Sequence, residues 1–282
     1  MGAGACRPVE QEGDTQVTLD RPDSNSDLLE AWWLEYESTD LERMASLAQA
    51  MAEVLDVEAL KDRGAWPDGE QRRFGAAHLD VVDLYAPPDD DGSWKRPDPA
   101  KARPVFIATR YRCALDQLAR ILVHRDQDAL YDDAYVTYAR TWKGDGDAFL
   151  RGEIDDLAWT FDMVATYPGA GEFNEFAEGQ IRRLPLPEGK SPGWIGDSYL
   201  ASRVWLPFPA ARENDGIDFA QDYQLEIYVP WEGGDIVHLY GMWRELDTPF
   251  GDFEGDLVSR LTVNNLKSWD DQTQALCDEG KP

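Results

Sequence analysis

The segment Ile236-Val237-His238-Leu239-Tyr240-Gly241-Met242-Trp243-Arg244 sets an imidazole, a phenol and a guanidinium at alternate positions of one largely apolar run. Successive side chains of an extended chain point to opposite faces. Ile236, His238, Tyr240, Met242 and Arg244 therefore share one face, and Val237, Leu239, Gly241 and Trp243 share the other. Both faces are partly apolar, which predicts a strand covered on both sides or lining a cavity on one. In such surroundings His238 can orient a polar group of a ligand or exchange a proton with it. The competing reading is an ordinary hydrogen-bonded core histidine. A buried Arg244 requires an acid partner, and Asp222 and Glu226 on the preceding strand are the candidates.

Other chemistry finds little support. His78, His124 and His238 stand in separate segments with no HExxH or HxH pattern, so no metal is expected. The run from Asp145 to Asp156 has acids at the first and third positions of a calcium loop. Phe149 and Leu150 then occupy ligand and glycine positions, and a solvated acidic turn is the better reading. No GxSxG, GxGxxG or P-loop occurs, and no cofactor is expected. Cys6, Cys113 and Cys277 are odd in number, far apart and without zinc spacing, so a reduced compartment is the default.

Composition narrows the partners. The 282 residues carry 27 basic and 55 acidic side chains, a formal net charge of −28. That balance argues against nucleic acid, whose phosphates demand Lys and Arg, and against an electrostatic dock on anionic lipid. An acidic surface keeps a chain soluble, and a salt-rich habitat would also select it. No apolar run is long enough to span a bilayer, and a cytoplasmic location is expected. "MGAGAC" narrowly misses a myristoylation signal and resembles the end of a lipoprotein cleavage site, without the charged and apolar regions that precede one. A periplasmic lipoprotein whose signal is missing is the alternative.

These residues must be positioned by the elements around them. Residues 1–26 are polar and aperiodic and read as a tail, followed by one domain over 27–282. Within it, 27–62 hold two helices: "LLEAWWLEYE", capped by Ser26 or Asp27, and "DLERMASLAQAMAEVL", whose Thr39 and Glu42 suggest a capping box. Leu41, Met44, Leu47, Ala48, Met51 and Leu55 form its apolar stripe. "GAWPDGEQRRF" reads as a turn region and "AAHLDVVDLYA" as a weak strand. "PVFIATRY" is a strand and "ALDQLARILVHRDQDALYDDA" a helix pair. The strands "YVTYARTW", "LAWTFDMVATY", "WIGDSYLASRVWL", "QDYQLEIYVP" and "DIVHLYGMWREL" follow, with Trp159, Phe161, Met163, Ala165 and Tyr167 on one face of the second. A helix over about 254–278 closes the chain. Successive strands joined by short turns pair antiparallel, giving an α+β layout. Pro207 and Pro209 in "WLPFPAAR" cannot sit in a central strand, so the sheet breaks or bends there.

The order Pro207-Phe208-Pro209 then Arg212 resembles a strand-edge pattern of the START lipid-transfer family, although Glu213 and Asn214 follow Arg212 where that family has an Arg-Asp pair. "MWRELDTPFGDFEGDLVSRLTVNNLKS" looks like that family's ending, and "VFIATRYRCALDQLARIL" is similar to the entry of the wider helix-grip (SRPBCC) superfamily, which includes polyketide cyclases. The resemblance spans roughly residues 64–280. It implies a curved antiparallel sheet wrapped around a long C-terminal helix, with a deep apolar cavity between, in a bacterial protein. The expected partner is a hydrophobic small molecule: a lipid, sterol or polyketide-like compound. The expected lining is Trp159, Phe161, Met163, Trp205, Phe208, Tyr223, Ile227, His238, Tyr240, Met242 and Arg244. A cyclase or dehydratase on the same scaffold, using His238, Tyr240 and Arg244, is the alternative.

Overall fold

The computed structural model describes residues 25–54, 64–66, 74–131, 134–167, 171–186, 193–212, 218–247 and 255–282. The tail before residue 25, Cys6, Leu55 and the segments 213–217 and 248–254 lie outside the described residues. Among the described residues, nine strands form one antiparallel sheet. They are β1 (Gly64–Trp66), β2 (Arg103–Arg112), β3 (Tyr135–Trp142), β4 (Asp156–Tyr167), β5 (Gly171–Pro185), β6 (Ser198–Trp205), β7 (Ala210–Arg212), β8 (Asp218–Trp231) and β9 (Asp235–Asp247). The order is β1-β2-β9-β8-β6-β5-β4-β3, with β7 pairing β5 and β8. The helices are α1 (Asn25–Glu35), α2 (Leu41–Val54), α3 (Ala76–Leu79), α4 (Leu115–Leu122), α5 (Gly146–Leu150) and α6 (Gly255–Asp278). This is the helix-grip arrangement expected of the sequence: an antiparallel sheet closed by a long C-terminal helix.

The prolines have the expected effect. β6 ends at Trp205 and β7 resumes at Ala210, both between β5 and β8, so the two are one strand line interrupted by Pro207-Phe208-Pro209. Each proline lacks a ladder donor, and the interruption lets the sheet change direction.

Each face of the sheet carries its own core. On the outer face α1 lays Trp32, Trp33 and Tyr36 onto Tyr199, Tyr223, Leu225, Ile227, Leu239 and Trp243. Trp33 meets Phe74, Tyr223 and Trp243 edge-on, with ring centroids 5.4, 5.8 and 5.9 Å away. Gly241 lets α1 approach, since a Cβ there would lie 3.2 Å from Leu29 Cδ1. The buried Arg203 clamps the turn that follows α1: it pairs with Glu37 at 2.5 Å and lies 4.5 Å over the Tyr36 ring. Such a cation over an aromatic face is attracted by the ring quadrupole. The inner face packs Phe161, Phe173, Ile181, Leu200, Tyr228 and Ile236 with residues of α4.

Several local expectations are corrected. The stretch from Ala76 is a short helix rather than a strand, because His78 Nδ1 accepts from Gly75 N at 2.7 Å and closes the turn. The chain then runs without regular structure beside the outer core, where Asp83 O accepts from Trp205 Nε1 at 3.1 Å. Gly64–Trp66 is an edge strand rather than part of a turn, paired to β2. The second helix is capped by Asp40, whose Oδ1 accepts from Arg43 N at 3.0 Å, rather than by a Thr39–Glu42 box. Leu41 at its start is exposed. The helix pair after β2 is one helix and a 3₁₀ turn at Gln127–Ala129. Asp145 caps α5 through Ala148 N at 2.9 Å, as an acidic turn residue would.

The cysteines are also corrected. Cys113, just before α4, and Cys277, in the last turn of α6, are disulfide-bonded with Cα atoms 5.3 Å apart. Spacing in the sequence concealed them because 164 residues separate the pair. Gln117 Nε2 supports the same junction, donating to the carbonyls of Cys277 and Lys281 at 3.0 Å each.

Candidate functional site

A cavity of about 390 Å³ lies between the inner face of the sheet and α6, at the small end of the range for ligand pockets. Its wall draws on β3, β4, β5, β6, β8, β9 and α6. Six neighbouring strands, from β9 to β3, reach one cavity only if the sheet curls around it.

Register decides which groups meet there. On β4, Trp159, Phe161 and Met163 point inward, opposite Gly179, Ala177 and Glu175 of β5. The Trp159 indole lies over Gly179 so closely that a Cβ there would fall 2.4 Å from Nε1; only glycine leaves that seat. Arg140 of β3 lies 4.7 Å over the same indole and donates to Tyr138 Oη and to the Leu122 carbonyl at 2.8 and 2.5 Å. On β8 and β9, Asp222 stands opposite Arg244, Gln224 opposite Met242 and Glu226 opposite Tyr240. Asn265, Leu266 and Trp269 of α6 close the far side.

Arg244 finds its acid in Asp222, one of the two candidates read from the sequence. Arg244 Nε donates to Asp222 Oδ2 at 3.0 Å, and its NH2 group makes a second, short contact with the same oxygen. Gln224 Nε2 donates to that oxygen too, at 2.9 Å.

His238 sits behind the cavity wall rather than on it. Its Nδ1 lies 3.0 Å from Asp270 Oδ1 of α6, and Asp270 Oδ2 accepts from Thr109 Oγ1 at 2.7 Å. His238 Nε2 faces Glu226 Oε1 at 3.8 Å, too far for a direct hydrogen bond, and has no other partner. Its ring stacks on Tyr228 at 4.4 Å. Register explains the string: His238 is opposite Thr109 on β2 and diagonal to Glu226 on β8. The string Asp270–His238–Glu226 thus runs from α6 through the sheet core to the cavity wall. Burial alone would push the imidazole pKa down, but Asp270 and then Glu226 outweigh it and the net shift is upward. Burial raises the Glu226 carboxyl, with His238 opposing.

A stability signature follows. A folded-state pKa raised above the unfolded value contributes stability that is complete below the unfolded pKa and lost as pH rises through the folded one. For His238 the window opens at the unfolded value of 6.5 and extends upward. The Glu226 shift has the same sign and opens lower, from 4.5. In urea titrations at pH 6 and pH 8, the stability advantage of the wild type over His238→Phe should shrink at the higher pH. A constant or widening gap would show that the imidazole carries no such proton.

The expected lining divides. Trp159, Phe161, Met163, Tyr240, Met242 and Arg244 lie on the cavity wall. Trp205 borders it where β6 breaks, while its ring belongs to the outer core. Tyr223 and Ile227 are corrected: both face α1 on the outer side, and Asp222, Gln224 and Glu226 of the same strand face the cavity. An apolar stripe was assumed to point at the cavity, but the drier surface is the one beneath α1. Phe208 is corrected too, since it stacks on Phe176 at 5.5 Å and meets Tyr85 at 5.8 Å, outside the cavity. His78 pairs with Glu30 at 2.7 Å in the outer core. Among the described residues no group of three His, Cys, Asp or Glu could hold a metal. Arg140, Glu175 and Asp270 were not among the expected residues; the first two had only the polar alternation of their strands as a signal, and Asp270, on a helix, had none.

No protein-family model matches this chain, and no curated protein matches it. Among solved structures it is similar to a STAR-related lipid transfer protein from Xanthomonas axonopodis, with 13% identity and a TM-score of 0.41, covering 77% of this chain and 98% of that one. It is similar to a START superfamily protein from Mycobacterium smegmatis at 9% identity and a TM-score of 0.40, covering 62% and 97%. It is also similar to a truncated norcoclaurine synthase from Thalictrum flavum at 12% identity and a TM-score of 0.35, covering 62% and 92%. The likeness is one of fold.

Proposed function

We propose that this protein binds one hydrophobic small molecule, of single-chain lipid, sterol or polyketide size, in the cavity between sheet and helix. The observation that carries the reading is the cavity itself: a space of about 390 Å³ walled by Trp159, Phe161, Met163, Met242, Leu266 and Trp269, with polar side chains set into it from β8 and α6. Apolar walls supply affinity and a few fixed polar groups set orientation. Residues 27–282 act as one unit in this reading. The disulfide suits an oxidising compartment, which favours the periplasmic alternative over the cytoplasm. Among the described residues no helix is long and apolar enough to cross a membrane.

The test is chemical extraction of protein purified without detergent, followed by mass spectrometry. About one apolar molecule per chain is expected. Protein that carries nothing, and takes up nothing from a lipid extract, would refute the reading. The Asp270–His238–Glu226 string supports a second reading, proton transfer by a cyclase-type or dehydratase-type enzyme. Loss of turnover with retained binding in His238→Phe would favour it.

A further inference from the structure

Polar side chains enter the cavity from two facing walls. On the sheet side Asp222, Gln224 and Glu226 point inward at alternate positions of β8, a row about 13 Å long at strand spacing. On the helix side Asn265, Ser268 and Gln272 follow one another at three- and four-residue intervals, a stripe about 10 Å long on one face of α6. Ser268 is exposed and marks where the cavity opens, whereas Asn265 and Gln272 are half-buried. Asp222 is engaged with Arg244 and with the Gln224 amide nitrogen, and Glu226 with His238 and Tyr228. The wall also presents the rings of Tyr138, Trp159 and Phe161, the first and last stacked at 5.5 Å.

The geometry points to a flat, multiply oxygenated aromatic ligand, whose hydroxyl and carbonyl groups are spread along the skeleton instead of gathered at one end. This deepens the binding reading above and rests on it. A ligand that fills the cavity takes solvent away from both polar rows. An alkyl chain would cover them and return no hydrogen bond, and a buried polar group left without a partner is costly. A single polar head satisfies groups at one end only. Oxygen substituents on both edges of a ring system reach β8 and α6 together, where Gln224 offers its carbonyl as an acceptor and Asn265 and Gln272 each bring a donor and an acceptor. The ring faces then pack on Tyr138, Trp159 and Phe161 in offset or edge-on geometry.

The experiment measures binding of apigenin, flavone and decanol to the wild-type protein by equilibrium dialysis at neutral pH. Apigenin is flavone with hydroxyls added on both ring systems, and decanol carries one hydroxyl at its end. A site built for hydroxyls rejects the analogue that lacks them, whereas an apolar cavity prefers the less polar molecule. Apigenin should bind at least about tenfold more tightly than flavone and than decanol. Asn265→Leu and Gln272→Met, each close in size to the original, should each remove a large part of that advantage and weaken decanol binding not at all. Near-UV dichroism verifies their folds, and the wild-type series decides the matter if a variant misfolds. Flavone or decanol binding as tightly as apigenin would overturn the inference and leave the binding reading standing. An apigenin advantage that survives in both folded variants would overturn it too, because the polar stripe of α6 would then play no part. If none of the three binds, the binding reading falls and the inference with it.

Discussion

Replacing Cys113 and Cys277 together by serine is expected to destabilise the protein by up to about 5 kcal/mol and to lower its melting temperature by about 10 °C or more. The pair closes a loop across 164 residues of separation, and the entropy a crosslink removes from the unfolded chain grows with the logarithm of loop length. The disulfide fastens the C-terminal end of α6 at the entry to α4. Without it, that end is held by Gln117, by the buried Asp270–Thr109 contact and by Trp269 stacked on Tyr131 at 4.9 Å. A reducing agent should lower the wild-type melting temperature to that of the variant and leave the variant unmoved. If wild-type stability is indifferent to reductant, the crosslink is not formed in solution.

Asp222→Leu is the second large effect. Asp222 and Arg244 are both largely withdrawn from solvent, with side chains 3% and 10% exposed. Removing one member of a buried pair strands the other charge, at a cost of about 3–5 kcal/mol. The guanidinium would keep its position over the Phe219 ring at 4.5 Å but lose its anion. The double change Asp222→Leu with Arg244→Met should recover most of the loss, because two apolar side chains of suitable size replace the pair. Chemical denaturation of the three variants checks this. A double variant no more stable than the single one would mean that the loss lies in packing and not in the stranded charge.

The architecture was legible because its signals are local. Alternation marks β4 and β9, two prolines mark the interruption after β6, and a one-sided apolar pattern marks α6. The pairing of Arg244 with an acid on the preceding strand was legible too, since a buried guanidinium leaves few alternatives and adjacent strands place cross-strand partners within reach. Four features were not, the first being β5 (Gly171–Pro185), a strand the sequence reading did not include. The orientation of β8 was misread because Tyr223, Leu225, Ile227 and Val229 alternate with Asp222, Gln224, Glu226 and Tyr228, and period alone does not say which face meets the cavity. The answer depends on α1, whose Trp32 and Trp33 require an apolar floor. The Asp270–His238 contact joins a helix to a strand, and neither carries a mark of the other. The disulfide depends on the whole sheet bringing residue 113 beside residue 277.

The direct test of a ligand-holding cavity is to fill it. Val204 of β6 lies on the wall, half-buried, between Ser202 and Leu206. Val204→Trp places an indole in the space a ligand would occupy, and an environment-sensitive apolar dye measures what remains. The wild type should bind the dye with one site per chain, and Val204→Trp should lose at least about tenfold in affinity while keeping its near-UV dichroism and melting temperature. Unchanged dye binding in a folded Val204→Trp protein would contradict the account, because the dye would then be bound elsewhere.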